Sequence, residues 1–217
     1  MTLEIPFHEW GSASSAAPGI LLLQEIFGVS DYIKERAADL HALGYYVIAP
    51  EIYWRLDDTE LDESAPDLMP RAMGIVQRLD WDQALADSVA ALEYLQARGR
   101  RTAVVGFCFG GGLGYNVAAV ASPDVLVSYY GSALPRLLEL RTEAASLHHF
   151  GNADAFLDVD AIVPALTSTN TVEVYRYDGA GHAFDNPLPM FHNADASALA
   201  WRRTEDFLAR HLPTTQG

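Results

Sequence analysis

The chain has 217 residues, 50% of them hydrophobic and 11% aromatic, which predicts one packed domain over residues 1–217 rather than a disordered chain. Its 29 acidic and 14 basic side chains give a net charge of −15, which opposes binding to nucleic acid or to an anionic membrane surface. No signal peptide or membrane-spanning run is visible, and Cys108 is the single cysteine, so an intrachain disulfide is excluded and a cytoplasmic location is expected.

Strand-length apolar runs alternate with helix-length amphipathic stretches along the chain. The predicted strands are, in chain order, Gly19–Leu23, Tyr45–Ala49, Thr102–Val105, Val125–Tyr130, Ser146–Phe150 and Val172–Tyr177. The longer predicted helices are Asp31–Leu43, Pro66–Leu79, Trp81–Arg98, Leu113–Ala121 and Asn193–His211. Nearly continuous apolar strands are expected to be buried on both faces, as in a parallel sheet covered by helices. The predicted fold class is therefore α/β.

An acidic segment between Arg55 and Pro70 separates the second predicted strand from the next helix. It contains six carboxylates, at Asp57, Asp58, Glu60, Asp62, Glu63 and Asp67. Because their spacing matches no calcium-binding loop, a solvated insertion on the lid side of the domain is predicted.

The strongest local signal is the run from Gly106 to Gly112, which follows a predicted strand and precedes a predicted helix. Its pattern, Gly-x-Cys-x-Gly around Cys108, is that of a nucleophile on a sharp strand-to-helix turn. Glycines are needed two residues before and after the nucleophile, since side chains there would collide with the strand and the helix. A helix N-terminus behind Cys108 favours a thiolate and helps to hold an oxyanion.

Candidates for the base and its orienting acid follow the cysteine in the order that this kind of turn requires. Asp154 comes shortly after one later strand, and His182 lies between glycines after the last strand. Four rival acids remain less well placed in the sequence: Asp158, Asp160, Asp178 and Asp185. The adjacent His148 and His149 are not expected to bind one metal ion, because neighbouring strand residues face opposite ways.

With these residues in place, the chain resembles the dienelactone hydrolase family from about Pro18 to Leu212. Four segments carry the resemblance: Gln24–Val29, Ala49–Tyr53, Gly106–Gly111 and Ala180–Phe184. It implies an α/β-hydrolase fold, cleavage of a small ester or lactone without a cofactor, and a Cys–His–Asp triad of Cys108, His182 and Asp154. It further implies that Glu25 interacts with the resting thiol and that the backbone N–H groups of Ile26 and Phe109 form the oxyanion hole.

The resemblance breaks where the best-known family members hold a substrate carboxylate with two arginines. Four residues after the histidine, where one arginine belongs, this chain has Asn186, and the lid-side arginine has no secure counterpart. Substrate contacts are predicted among Tyr53, Arg55, Arg71, Phe184 and Asn186, with Arg78 a further lid-side candidate.

Two other functions are considered. A glutamine-amidotransferase-like fold also places a cysteine on such a turn near a glutamate, but its histidine commonly adjoins the cysteine, where this chain has Phe109. A hydrolase-derived sensor would keep the site and bind a small ligand with little turnover, and the complete apparent triad argues against it. A small-molecule ester or lactone is the expected partner, and a monomer or weak homo-oligomer is the expected state.

Overall fold

A seven-stranded sheet forms the centre of the computed structural model, which describes residues 3–168 and 171–214. The strands are β1 (Phe7–Trp10), β2 (Gly19–Leu23), β3 (Tyr46–Pro50), β4 (Thr102–Phe107), β5 (Val125–Tyr129), β6 (Ala145–Gly151) and β7 (Val172–Tyr177). Their order is β1-β3-β2-β4-β5-β6-β7, with β1 antiparallel to β3 and all other neighbours parallel. The prediction of a mostly parallel α/β sheet is confirmed. Residues 1–2 and 215–217 of the predicted domain lie outside the described residues.

Helices cover the sheet. Those in the described residues are α1 (Asp31–Ala42), α2 (Leu68–Arg78), α3 (Trp81–Gln96), α4 (Phe109–Ala121), α5 (Val159–Leu166) and α6 (Ala194–His211). Helices α3 and α4 pack against each other and on the central strands, whereas α1 contacts β1 and β3 and α6 contacts β5 and β6. Strands β2 to β5 are buried along their whole length, as expected for a covered sheet. Over the described ranges, no helix is long and apolar enough to span a membrane.

One strand was not predicted and one helix begins well before its predicted start, whereas the other predicted strand and long-helix bounds agree to within two residues. Strand β1 was not predicted, because it is only four residues long and lies at the sheet edge with a largely solvent-accessible pattern. Helix α4 begins at Phe109 instead of the predicted Leu113, so the glycines after Cys108 are helical. Glycine is unfavourable in an isolated helix, but here close packing on the sheet requires it and outweighs that propensity.

Strand β6 buries two adjacent histidines that face opposite sides of the sheet, as predicted. His149 bonds the Tyr177 hydroxyl at 2.8 Å and the Thr204 hydroxyl at 3.0 Å. His148 lies instead beside the rings of Tyr115 and Phe150, and neither of its ring nitrogens has a hydrogen-bond partner among the described residues. Burial lowers the pKa of His148 to about 3, so it is neutral in the folded protein.

The neutral His148 makes stability depend on pH. Below its ordinary pKa of 6.5 the unfolded chain binds a proton there that the folded chain does not, so stability is lost as the pH falls toward 3. His148→Leu should therefore reduce the loss of unfolding free energy between pH 6 and 4.5 by about 2 kcal/mol, measured by urea denaturation. The exposed substitution His192→Gln should keep the wild-type slope, and an unchanged slope in His148→Leu would contradict the prediction.

Candidate active site

Cys108 lies on the sharp turn between β4 and α4, with a left-handed φ of +50°. The flanking glycines are required by contact: a Cβ on Gly106 would lie 2.1 Å from the Gly110 carbonyl oxygen, and one on Gly110 would lie 2.4 Å from the Leu23 carbonyl oxygen. The chain therefore makes this turn only where side chains are absent, and the strained backbone holds the cysteine at the carboxyl end of the sheet.

Backbone hydrogen bonds fasten this turn to its neighbours. The Cys108 N–H donates to the Tyr129 carbonyl at 3.0 Å, and the Cys108 carbonyl accepts from the Ser132 N–H at 3.0 Å, both on or just after β5. The Gly110 N–H donates to the Gln24 carbonyl at 3.0 Å, just after β2. Cys108 is thus fixed between the loops that follow β2 and β5, the strands on either side of β4.

Three side chains from three different strands meet at this edge. The Cys108 sulfur lies 3.1 Å from His182 Nε2, and His182 Nδ1 lies 2.7 Å from Asp154 Oδ2. The other Asp154 oxygen accepts the backbone N–H groups of Phe156 and Leu157 at 2.8 and 3.1 Å. The structure therefore brings the predicted nucleophile, base and acid together in a continuous hydrogen-bonded line, with the acid held by the backbone.

The electrostatics of His182 favour its protonated form. Burial alone would lower the pKa of His182. Its contacts with Asp154 and Cys108 outweigh burial and raise the pKa from 6.5 to about 10. At neutral pH an imidazolium therefore faces the sulfur and carries a proton 3.1 Å from it.

Glu25 is buried beside this line of residues, in the loop after β2. One of its oxygens accepts the Asn186 side-chain N–H at 2.6 Å, while the Asn186 oxygen accepts the Leu188 N–H at 2.9 Å. Burial raises the pKa of Glu25 to about 7, against the opposing effects of Asn186 and His182. The Cys108 sulfur is bonded to His182 in this arrangement, and an interaction of Glu25 with the thiol stays a prediction.

Removal of the Glu25 charge should change how fast the thiol is alkylated. As the pH rises through about 7, Glu25 becomes an anion near the reacting groups and opposes formation of a thiolate. Glu25→Gln should therefore react with iodoacetamide about fivefold faster than the wild type above pH 7 and at a similar rate below pH 6. Glu173→Gln, which removes a carboxylate paired with Arg210, is the control, and superimposable profiles for Glu25→Gln and the wild type would contradict the prediction.

The predicted oxyanion donors belong to two loops that are joined by the hydrogen bond from the Gly110 N–H to the Gln24 carbonyl. Phe109 is the first residue of α4, where a backbone N–H has no partner within the helix. Ile26 follows Glu25, and its carbonyl accepts the Tyr53 hydroxyl at 3.1 Å. The buried Tyr53 thus holds the Ile26 peptide, and a contact of Tyr53 with substrate stays a prediction.

Known proteins of one family resemble this chain over most of its length. The model of the dienelactone hydrolase family matches residues 9–212. The chain belongs to this family. It is 32% identical to a carboxymethylenebutenolidase of Pseudomonas putida over 91% of this chain and 87% of the relative, and 30% identical to carboxymethylenebutenolidase 1 of Cupriavidus pinatubonensis over 90% and 87%.

Solved structures of dienelactone hydrolase-like proteins superpose on this chain. A Klebsiella pneumoniae protein provisionally named dienelactone hydrolase superposes with a TM-score of 0.80 at 26% identity, covering 95% of this chain and 93% of the other. A dienelactone hydrolase-like promiscuous phosphotriesterase from metagenomic libraries gives 0.73 at 25% identity, covering 94% and 91%. The family and the α/β-hydrolase fold predicted from the sequence are confirmed.

The other four predicted substrate contacts have partners within the chain, and their contact with a substrate stays a prediction. Arg55 is bonded to Asp87 and stacked on Trp54, and Arg71 donates to the Glu60 carbonyl at 3.1 Å in the exposed acidic segment. Phe184 is fully buried between Tyr130 and Tyr177, and Asn186 is bonded to Glu25. Acidic neighbours hold the two arginines, and core packing holds the other two side chains. All six carboxylates of the acidic segment are exposed, as predicted.

The structure also shows residues that the dienelactone hydrolase resemblance did not suggest. A cavity of about 360 Å³ adjoins Phe109; its lining includes Trp81, Ser132 and Arg136. Asp185, a rival acid in the sequence, is buried in a separate network with Tyr32, Arg36 and Ser197. Ser132 and Arg136 follow β5 at the same edge of the sheet as Cys108, and this position in the sequence could have indicated that they lie near the site.

Proposed function

We propose that this dienelactone hydrolase family member cleaves small carboxylic esters or lactones through an acyl-enzyme on Cys108. The observation that carries the proposal is the line of contacts from the Cys108 sulfur through His182 to Asp154, at 3.1 and 2.7 Å. Names of relatives that cover nearly the whole chain support the same reaction class and give no support to the sensor alternative.

The first half of the reaction forms a thioester. The Cys108 thiolate attacks the carbonyl carbon, and the N–H groups of Ile26 and Phe109 hold the negative oxygen of the tetrahedral intermediate. His182 then gives its Nε2 proton to the leaving oxygen as the carbon–oxygen bond breaks. Asp154 keeps the imidazole oriented and stabilises its charge.

The second half releases the acid. Neutral His182 takes a proton from a water molecule, whose oxygen attacks the thioester carbonyl in the same oxyanion hole. Collapse of this second intermediate breaks the carbon–sulfur bond and restores the thiolate beside an imidazolium. In a lactone the leaving oxygen stays tethered, so one hydroxy acid or its keto form is the product.

The thiolate determines which esters react well. A thiolate is expelled from the tetrahedral intermediate more readily than a simple alkoxide, so attack on alkyl esters tends to reverse. Enol lactones and aryl esters, whose oxygens leave easily, are therefore the better substrates.

The test compares an enol lactone, 4-nitrophenyl acetate and ethyl acetate. We expect turnover of the first two, with a burst of one 4-nitrophenolate per active site and an acetyl group on the Cys108 peptide in mass spectra. A preference for ethyl acetate, or hydrolysis with the acetyl group on another residue, would overturn the proposal.

A further inference from the structure

Two cavities flank the line of catalytic side chains, and they border different parts of it. One, of about 390 Å³, is lined by His182 together with Phe156 and Met190. The other, of about 360 Å³, begins at Phe109 and does not include His182. Since His182 protonates the leaving oxygen, the leaving group belongs on the side of the first cavity. The remaining substituent of the carbonyl, the acyl chain, belongs in the second.

Arg136 lies on the wall of this acyl cavity, at the end of a short 3₁₀ turn over Leu134–Arg136. Its guanidinium carbon is 4.0 Å from the centre of the Trp81 ring, and Trp81 in turn packs edge-on against Phe109 at 5.6 Å. The Trp81 indole N–H is fixed by the Asn116 side chain at 3.1 Å. A fixed aromatic face thus holds the guanidinium by a cation–π contact and leaves its N–H edge available.

Arg136 combines a guanidinium that has no carboxylate partner with a place on the wall of a cavity. Arg36, Arg101 and Arg210 each bond a carboxylate, at 2.8 to 3.0 Å. Across residues 3–168 and 171–214, no carboxylate lies within ion-pair distance of Arg136, and its side chain donates no hydrogen bond. In a chain with a net charge of −15, a cation without an acidic neighbour beside a cavity is a binding element for an anion.

We propose that Arg136 is a specificity-determining residue that binds a carboxylate at the far end of the substrate's acyl chain, while Trp81 positions its guanidinium. This inference rests on the proposed function, because it assigns the acyl side from the direction in which His182 gives its proton. Arg136 lies in the loop after β5. The substrate contacts predicted from the sequence lie in other places, in the segment after β3 and in the loop that carries His182.

The experiment compares two aryl esters that have the same acyl chain and the same 4-nitrophenyl leaving group. The chain of 4-nitrophenyl hydrogen adipate ends in a carboxylate, and the chain of 4-nitrophenyl methyl adipate ends in a neutral methyl ester. We expect the wild type to prefer the anionic ester about tenfold in kcat/KM, mainly through KM. Arg136→Gln should lower kcat/KM for the anionic ester about tenfold more than for the neutral ester, which abolishes the preference, while Arg136→Lys retains part of it. Arg141→Gln removes an exposed arginine that bonds only backbone carbonyls of Leu138 and Leu140, and should keep the preference.

Equal losses on both esters in Arg136→Gln, no preference in the wild type, or the same loss in Arg141→Gln would overturn the inference. Hydrolysis of neither ester would count against the proposed function instead. In that case the rate of Cys108 alkylation by iodoacetamide still tests Arg136. Protection by adipate in the wild type and not in Arg136→Gln would support its role, and the absence of protection in the wild type would overturn it.

Discussion

Replacement of Cys108 by alanine is expected to lower kcat/KM for an activated aryl ester by about 10⁴-fold. The substitution removes the atom that forms the thioester while it leaves the oxyanion donors of Ile26 and Phe109 in place. The turn itself is held by backbone bonds to Tyr129 and Ser132, so the fold should be kept. Stopped-flow release of 4-nitrophenolate measures both the lost burst and the residual rate.

Cys108→Ser separates the need for sulfur from the need for any nucleophile. The hydroxyl preserves the shape of the site, but His182 would then have to remove its proton before attack. We expect an activity between those of the wild type and Cys108→Ala, with near-UV circular dichroism unchanged in both variants. Alanine activity within tenfold of the wild type would show that Cys108 is not the nucleophile.

Gly106→Ala is expected to reduce the free energy of unfolding by more than about 4 kcal/mol. Its Cβ would lie 2.1 Å from the Gly110 carbonyl oxygen, which belongs to the backbone of α4 and cannot rotate away as a side chain would. Relief of this contact requires the start of α4 to move away from β4. Chemical denaturation and the solubility of the variant at 25 °C measure the effect.

Gly74→Ala provides the matched control in helix α2. A Cβ there meets no atom within 4 Å, so alanine adds helix propensity without a clash. A gain of about 0.5–1 kcal/mol is expected. If both glycine variants were equally stable, the close approach at Gly106 would not constrain the turn as described.

Much of the fold could be predicted because the central strands are buried on both faces. The fully buried run Gly19–Leu23, for example, was predicted with its observed bounds. The start of α4 could not be predicted in this way, since the reason for its glycines is the carbonyl of Leu23 on another strand. Edge strand β1 has no such apolar run, and its pairing with β3 becomes visible only in the folded sheet.

In the candidate site, too, residues with a local sequence pattern could be predicted, and contacts between distant loops could not. Cys108, Asp154 and His182 could be found because each follows a strand at the carboxyl edge, in a fixed chain order. The contact of Asn186 with Glu25 and the stacking of Arg136 on Trp81 depend on which loops touch, and the sequence contains no local pattern for either. Hence the three side chains of the hydrogen-bonded line were predicted from the sequence, and their neighbours Asn186 and Arg136 were not predicted in the contacts they make.

The acidic segment between Arg55 and Pro70 indicates where the chain tolerates a change in length. Within the described residues, none of its six carboxylates bonds to Cys108, His182, Asp154 or Glu25, and the turn is fastened by loops from other strands. We expect changes in the length of this segment to leave the backbone hydrogen bonds of the Cys108 turn intact. The segment is therefore a permissive position for insertions and exchanges, where a library of loops can be grafted without rebuilding the catalytic groups.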